Sequence, residues 1–196
     1  MTPYMRSNGL RAYDPAVVRE LRRTKTPATV FVSGLWARKY PAVLRSLARD
    51  PLFEIGNHSF SHAAFQKPCF GLPLAESASQ KREEVTAAAS LIRSIAGVRT
   101  RYFRFPGDCY EDADVELVLA LGHRPVQWDV PSGDAFEHDA LRIAQGVVER
   151  TRPGSIVVMH LNGPPNAPMT GVSLRSVIPA LRERGFRTVT VSELIE

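Results

Sequence analysis

Hydrophobic positions along this chain fall into two alternating kinds of segment. Short runs rich in Val, Ile and Phe recur at 28–33, 53–56, 101–105, 124–128, 155–160 and 186–191. Runs of that length and composition predict buried parallel strands. Between them, apolar residues recur at helical spacing. Val85, Ala88, Ala89, Ile92 and Ile95 mark one helical face, with Gly97 as its stop. Leu141, Ala144, Val147 and Val148 mark a second face. Leu174, Val177, Ile178 and Leu181 mark a third, stopped by Gly185. Stripes of this kind are core faces, not cofactor sites. Near the start, Asp14-Pro15 reads as a helix N-cap followed by proline at the first helical position. Repeated strand–helix units predict an α/β fold with a parallel, barrel-like sheet. No internal repeat or linker interrupts the pattern, so one domain over 1–196 is expected.

Charge adds little. Lys and Arg total 25 against 20 Asp and Glu, a net of +5. The arginines are scattered over the polar sides of helices, which predicts a solvated surface. No stripe of aromatics alternates with basic residues, so nucleic acid is not an expected partner. No stretch is long and apolar enough to span a membrane. Residues 2–13 are polar and do not read as a secretory signal, and the compartment stays open. Cys69 and Cys109 fall in loops; they either pair, if the protein is exported, or stay two separate thiols.

Chemistry concentrates at Glu54-Ile55-Gly56-Asn57-His58-Ser59-Phe60-Ser61-His62, after a short apolar strand. Four-residue spacing puts two imidazoles on one side of a helical turn, where they can share a metal ion. Neutral imidazoles suit zinc and several other divalent ions. Two ligands make a weak site, so others must join them.

The segment from Thr26 to His62 closely resembles the polysaccharide deacetylases, the NodB-homology carbohydrate esterases of family 4. His58-Ser59 through His62 matches their histidine motif. Phe103-Arg104-Phe105-Pro106-Gly107 looks like their arginine motif, and Trp128-Asp129-Val130-Pro131-Ser132-Gly133-Asp134 like their aspartate motif. Ile156-Val157-Val158-Met159-His160 looks like the strand that ends in their catalytic histidine, and the tail from Val172 to Glu196 like their closing helix and strand.

The resemblance implies a distorted, incomplete (β/α) barrel of the NodB type. In such a barrel the strand ends would gather His58, His62, Arg104, Asp134 and His160 on one rim. It implies a hydrolase that removes acetyl groups from an N- or O-acetylated oligo- or polysaccharide. His58 and His62 would hold a divalent ion, zinc first and cobalt, nickel or manganese as alternatives. That ion would polarise the acetyl carbonyl and activate water. The backbone N–H of Gly107 would bind the oxyanion. His160 would protonate the leaving group, with Asp134 fixing its tautomer and stabilising its charged form. Arg104 would orient the general base.

One family motif has no counterpart. Members begin with a strand ending in two aspartates, the base and a metal ligand, followed by Gly-Pro. Thr2-Pro3 aligns with Gly-Pro, so Met1 falls where the metal-binding aspartate belongs. The first strand is therefore expected to be missing. Either residues upstream supply it, or the chain has lost its base and binds glycans without turnover. Other departures concern the groove. Ala135 replaces a usual tryptophan, with Phe136 next to it as a substrate contact. Val158 takes a leucine position beside the acetyl methyl, and Asp108 replaces a glycine.

Overall fold

The computed structural model describes residues 13–196. The expected alignment of Met1 and Thr2-Pro3 with the family's first motif lies outside the described residues. The chain packs as two compact units. One is Thr29–Gln127, and the other joins Trp128–Glu196 to the described residues up to Ala28.

The first unit carries a sheet in the order β1 (Ala28–Val32), β2 (Phe53–Asn57), β3 (Tyr102–Phe103) and β4 (Arg124–Pro125). β2 and β3 run parallel with Asn57 opposite Phe103, and β3 and β4 run parallel with Tyr102 opposite Arg124. Two short helices, α2 (Gly34–Lys39) and α3 (Pro41–Ala48), connect β1 to β2. The long helix α4 (Ala78–Ala96) starts at a capping box of Ser77 and Gln80. It stops where Gly97 takes a left-handed φ of 73°. α5 (Asp112–Ala120) follows the arginine motif. Phe65, Val85, Phe103, Phe105 and Val118 form one buried cluster. Its three phenylalanines meet at centroid distances of 5.0–5.9 Å, and Phe105 stacks on Tyr110 at 4.3 Å. Burial of each such ring contributes about 1.5–3 kcal/mol, so this cluster helps hold β3, which leads into the arginine motif.

The second unit contains α1 (Pro15–Arg23), β5 (Val130–Pro131), α6 (Ala140–Arg150), β6 (Val157–Val158), α7 (Thr170–Glu183) and α8 (Val191–Ile195). Asp14 caps α1 as expected, accepting the Ala16 N–H at 2.8 Å. β5 and β6 pair in parallel, Val130 opposite Val157. Asp129 ties them, accepting Ser155 Oγ and Ile156 N–H at 2.6 Å each. Ala144 and Val147 of α6 pack on Val177 and Leu181 of α7.

Two expectations are corrected. Residues 186–190 do not form the closing strand expected over 186–191. Phe186 instead packs against the α6–α7 cluster. Thr190 and Glu193 then make a capping box that opens α8, so a T-x-x-E signal overrides the β-branched run. In α6 the buried face is Ile143, Ala144 and Val147, while Leu141 is 72% exposed. Asp139 supplies the α6 cap, accepting the Leu141 and Arg142 N–H groups.

Candidate active site

In the first unit, the histidine motif leaves β2 through Asn57, whose side chain is fully buried. Its Nδ2 donates to the Val85 carbonyl of α4 at 2.9 Å, and its Oδ1 accepts the Ser59 N–H at 3.1 Å. The residues that follow are not helical, which corrects the expected helical turn. Ser59 and His62 both take left-handed backbone, with φ of 63° and 62°. Such backbone is strained for residues with a Cβ, so other groups must hold it. The Phe60 and Ser61 N–H groups donate to Glu84 Oε2 at 2.9 and 2.8 Å, and Ser61 Oγ donates to Oε1 at 2.7 Å. Gly34 N–H donates to the Ser59 carbonyl at 3.0 Å; a Cβ on Gly34 would come within 2.3 Å of the Phe60 ring. This loop brings the His58 and His62 rings edge to face at 4.8 Å between centroids.

The tautomer of His58 follows from its partner. Its Nδ1 lies 2.7 Å from the Arg104 carbonyl, which can only accept. The proton therefore sits on Nδ1, and Nε2 carries the lone pair a metal needs. The pair fits as part of a ligand set for a divalent ion. Among the described residues, no group of three or more His, Cys, Asp or Glu is placed to hold one.

Arg104 is buried rather than at the surface. Its Nε donates to the Val126 carbonyl at 3.2 Å, and its guanidinium sits 4.1 Å from the Phe31 ring centroid. Burial draws its pKa down to about 10, opposed by the Asp108 charge. Burial pushes the Asp108 carboxyl up, opposed by Arg104. Asp108 also accepts a hydrogen bond from Gln127. It has a φ of 61° and follows Gly107 at 65°. Left-handed backbone is costly for a residue with a Cβ; the aspartate here is held by its polar neighbours. Cys69 and Cys109 form a disulfide, with Cα atoms 5.9 Å apart, and so close the question the sequence left open.

In the second unit, Asp134 is 1% exposed and accepts three hydrogen bonds. Oδ1 takes His160 Nδ1 at 2.7 Å, while Oδ2 takes the His160 N–H at 2.8 Å and Thr170 Oγ1 at 2.6 Å. Burial alone would raise its pKa, but the His160 and Thr170 bonds together hold it below the ordinary carboxylate range. The His160 side chain remains 45% exposed. Ser132 in the aspartate motif helps set the turn, its Oγ accepting the Asp134 N–H at 3.3 Å. Val158 lies in β6 and is half-buried, its carbonyl accepting the Ser132 N–H. Phe136 sits in the turn after Asp134 and is 76% exposed.

Sequence reasoning missed Glu84, Asn57 and Thr170. Asn57 stands inside the quoted motif, beside His58, and was open to notice. Glu84 lies 24 and 23 residues beyond Phe60 and Ser61, and Thr170 lies 36 beyond Asp134, on helices whose sequences show only amphipathic pattern. Among the described residues, no helix is long and apolar enough to cross a membrane.

Residues 7–126 match the family model for polysaccharide deacetylases. A chitooligosaccharide deacetylase of Azorhizobium caulinodans is 30% identical over 183 residues, covering 88% of this chain and 83% of that protein. A family 4 acetyl xylan esterase from Clostridium thermocellum, solved with a cobalt ion, superposes with a TM-score of 0.80 at 26% identity, covering 92% of this chain and 82% of that one. A family 4 pseudoenzyme from Bacillus anthracis shares the fold, with a TM-score of 0.81 at 22% identity. The match covers 93% of this chain and 60% of that longer one. The α/β fold expected from the motifs is thus the family's fold, and this chain belongs to the polysaccharide deacetylases, the NodB-homology members of carbohydrate esterase family 4.

Proposed function

We propose that this protein is a metal-dependent hydrolase that removes acetyl groups from a carbohydrate. The first substrate class is an N-acetylated oligosaccharide such as a chitooligosaccharide, the substrate named for the Azorhizobium relative. O-acetylated polysaccharide is second, as named for the esterase. The observation that carries this reading is the Asp134–His160 pair. A buried carboxylate fixes the His160 proton on Nδ1 through a 2.7 Å bond, and the imidazole keeps an exposed edge for substrate. That is the arrangement an acid needs to protonate a leaving amine or alkoxide.

His58 and His62 are the residues that would hold zinc, or else cobalt, nickel or manganese. Such an ion supplies polarisation of the acetyl carbonyl and a lowered water pKa. The Arg104 carbonyl fixes the His58 tautomer for that task, and Glu84 and Asn57 fix the loop. The Gly107 N–H stabilises the oxyanion that develops as water adds to the acetyl carbon. Arg104 places a second, buried positive charge in the first unit and orients the base. The base itself is the one role without an assignment among the described residues. Val158 and Phe136 contact the acylated sugar.

The test is acetate release from chitooligosaccharides by the zinc- or cobalt-loaded protein. Release that disappears on chelation and in His160→Ala supports the reading; binding without release would favour a glycan-binding member instead.

A further inference from the structure

Phe70 is 74% exposed, although Phe65 in the same loop is 1% exposed and sits in the core. An apolar ring of this size ordinarily gains about 1.5–3 kcal/mol from burial, so its exposure needs a cause. Chain slack is not the cause, because the loop is fastened at several points. The Phe65 and Gln66 N–H groups donate to the Cys109 carbonyl at 3.1 Å each. The Ala64 N–H donates to the Pro73 carbonyl at 2.8 Å, and the Ala75 N–H to the Ala64 carbonyl at 3.0 Å. Leu72 N–H closes the turn onto the Cys69 carbonyl at 2.8 Å, and the disulfide ties Cys69 to Cys109. Phe70 itself holds a left-handed φ of 47°. Backbone in that region costs free energy for a bulky residue and persists only where its surroundings over-determine it.

This turn rests on Gly107. A Cβ placed on Gly107 would lie 2.5 Å from Cys69 Sγ, 3.1 Å from Leu72 Cδ1 and 3.4 Å from Phe70 Cδ2. Any side chain at 107 would therefore push the turn away. The absence of one lets an exposed aromatic ring stand directly beside the backbone amide assigned to the oxyanion. A pyranose presents an apolar C–H face, and aromatic rings are the side chains that pack on such faces while their edges stay wet. Recognition sites for small polar ligands place such a ring next to a few fixed polar groups.

Resting on the deacetylase reading above, we propose that Phe70 is a sugar-stacking platform that binds a pyranose ring of the glycan chain beside the Gly107 amide.

The experiment compares the full, disulfide-intact chain with Phe70→Ala and Phe70→Trp. For each, kcat/KM is measured on chitotetraose and on p-nitrophenyl acetate in zinc or cobalt. Chitotetraose binding to the metal-free protein is followed by calorimetry. The platform predicts that Phe70→Ala lowers the ratio of chitotetraose to p-nitrophenyl acetate efficiency about tenfold, weakens chitotetraose binding by the same factor, and leaves the melting temperature in place. Phe70→Trp should restore both and show a fluorescence change on adding chitotetraose. An unchanged ratio and unchanged binding in Phe70→Ala would overturn the platform while leaving the deacetylase reading intact. Binding that depends on Phe70 in a wild type without turnover would do the reverse. Loss of self-association in Phe70→Ala, with sugar binding unaltered, would mark the ring as a protein contact and also overturn it.

Discussion

His160 Nδ1 lies 2.7 Å from Asp134 Oδ1, and Asp134 Oδ2 takes the His160 backbone N–H at 2.8 Å. One buried carboxylate thus grips both the ring and the backbone of the same residue, and Thr170 adds a third bond. Asp134→Asn should misplace the proton on His160 and leave a donor facing the His160 and Thr170 donors. Leaving such groups unsatisfied costs about 1–3 kcal/mol. Thermal unfolding of the variant should show that loss, and acetate release should fall with it. A variant as stable and as active as wild type would contradict the assignment.

The Asp134 carboxyl is held below its ordinary value of 3.8 in the folded protein, because the bonds from His160 and Thr170 outweigh the cost of burial. A depressed carboxyl binds fewer protons folded than unfolded. Its contribution is therefore full above about pH 3.8 and is lost as pH falls through the lower folded value. Melting curves between pH 6 and pH 2 should converge for wild type and Asp134→Asn at the acid end. A stability gap that stays constant down to pH 2 would rule this linkage out.

Glu84 accepts three hydrogen bonds from the loop that separates His58 from His62. Glu84→Ala should release the strained backbone and weaken zinc binding about 10–100-fold, the usual cost of losing a partner that orients ligands. Glu84→Gln keeps acceptor oxygen and should retain more of the affinity. Wild-type binding should already be loose with two histidines alone, and His58→Ala or His62→Ala should abolish it. Calorimetric zinc titration checks all four variants; tight binding that survives the histidine substitutions would sink the site.

The Cys69–Cys109 bridge closes a long loop around the arginine motif. Removing a bridge of this kind typically costs about 2–4 kcal/mol. Reduction, or Cys69→Ser with Cys109→Ser, should lower the melting temperature. Titration of free thiols in the native protein should give none, and a count of two would show that the pair is open.

The carboxylate base has no assignment among the described residues. If Asp14 or Asp108 serves as the base, Asp14→Asn or Asp108→Asn should lower turnover about 10²–10⁴-fold, the usual contribution of a positioned base. Unchanged turnover in both variants would exclude these two carboxylates from that role.

Much of this molecule is written locally. The Asp14 cap, the Gly97 stop and the valine-rich strands follow from neighbours in sequence, and so did their prediction. The Asp134–His160 pairing was legible because each residue closely follows a strand within a local pattern. What escaped prediction is long-range or backbone-specific. Glu84 and Thr170 serve motif residues through side chains reaching across from helices, and no periodicity reports such a reach. The left-handed Ser59 and His62 turned an expected helical spacing into a loop. The closing strand failed because the Thr190–Glu193 cap is a stronger signal than β propensity over five residues.

The most direct measurement is acetate release from a chitooligosaccharide by the zinc-loaded protein, for wild type and His160→Ala. Zinc affinity is measured on the same samples. The account predicts a 10²–10⁴-fold loss of rate with affinity unchanged, since His160 is an acid and not a ligand. Equal rates, or zinc binding lost together with His160, would contradict it.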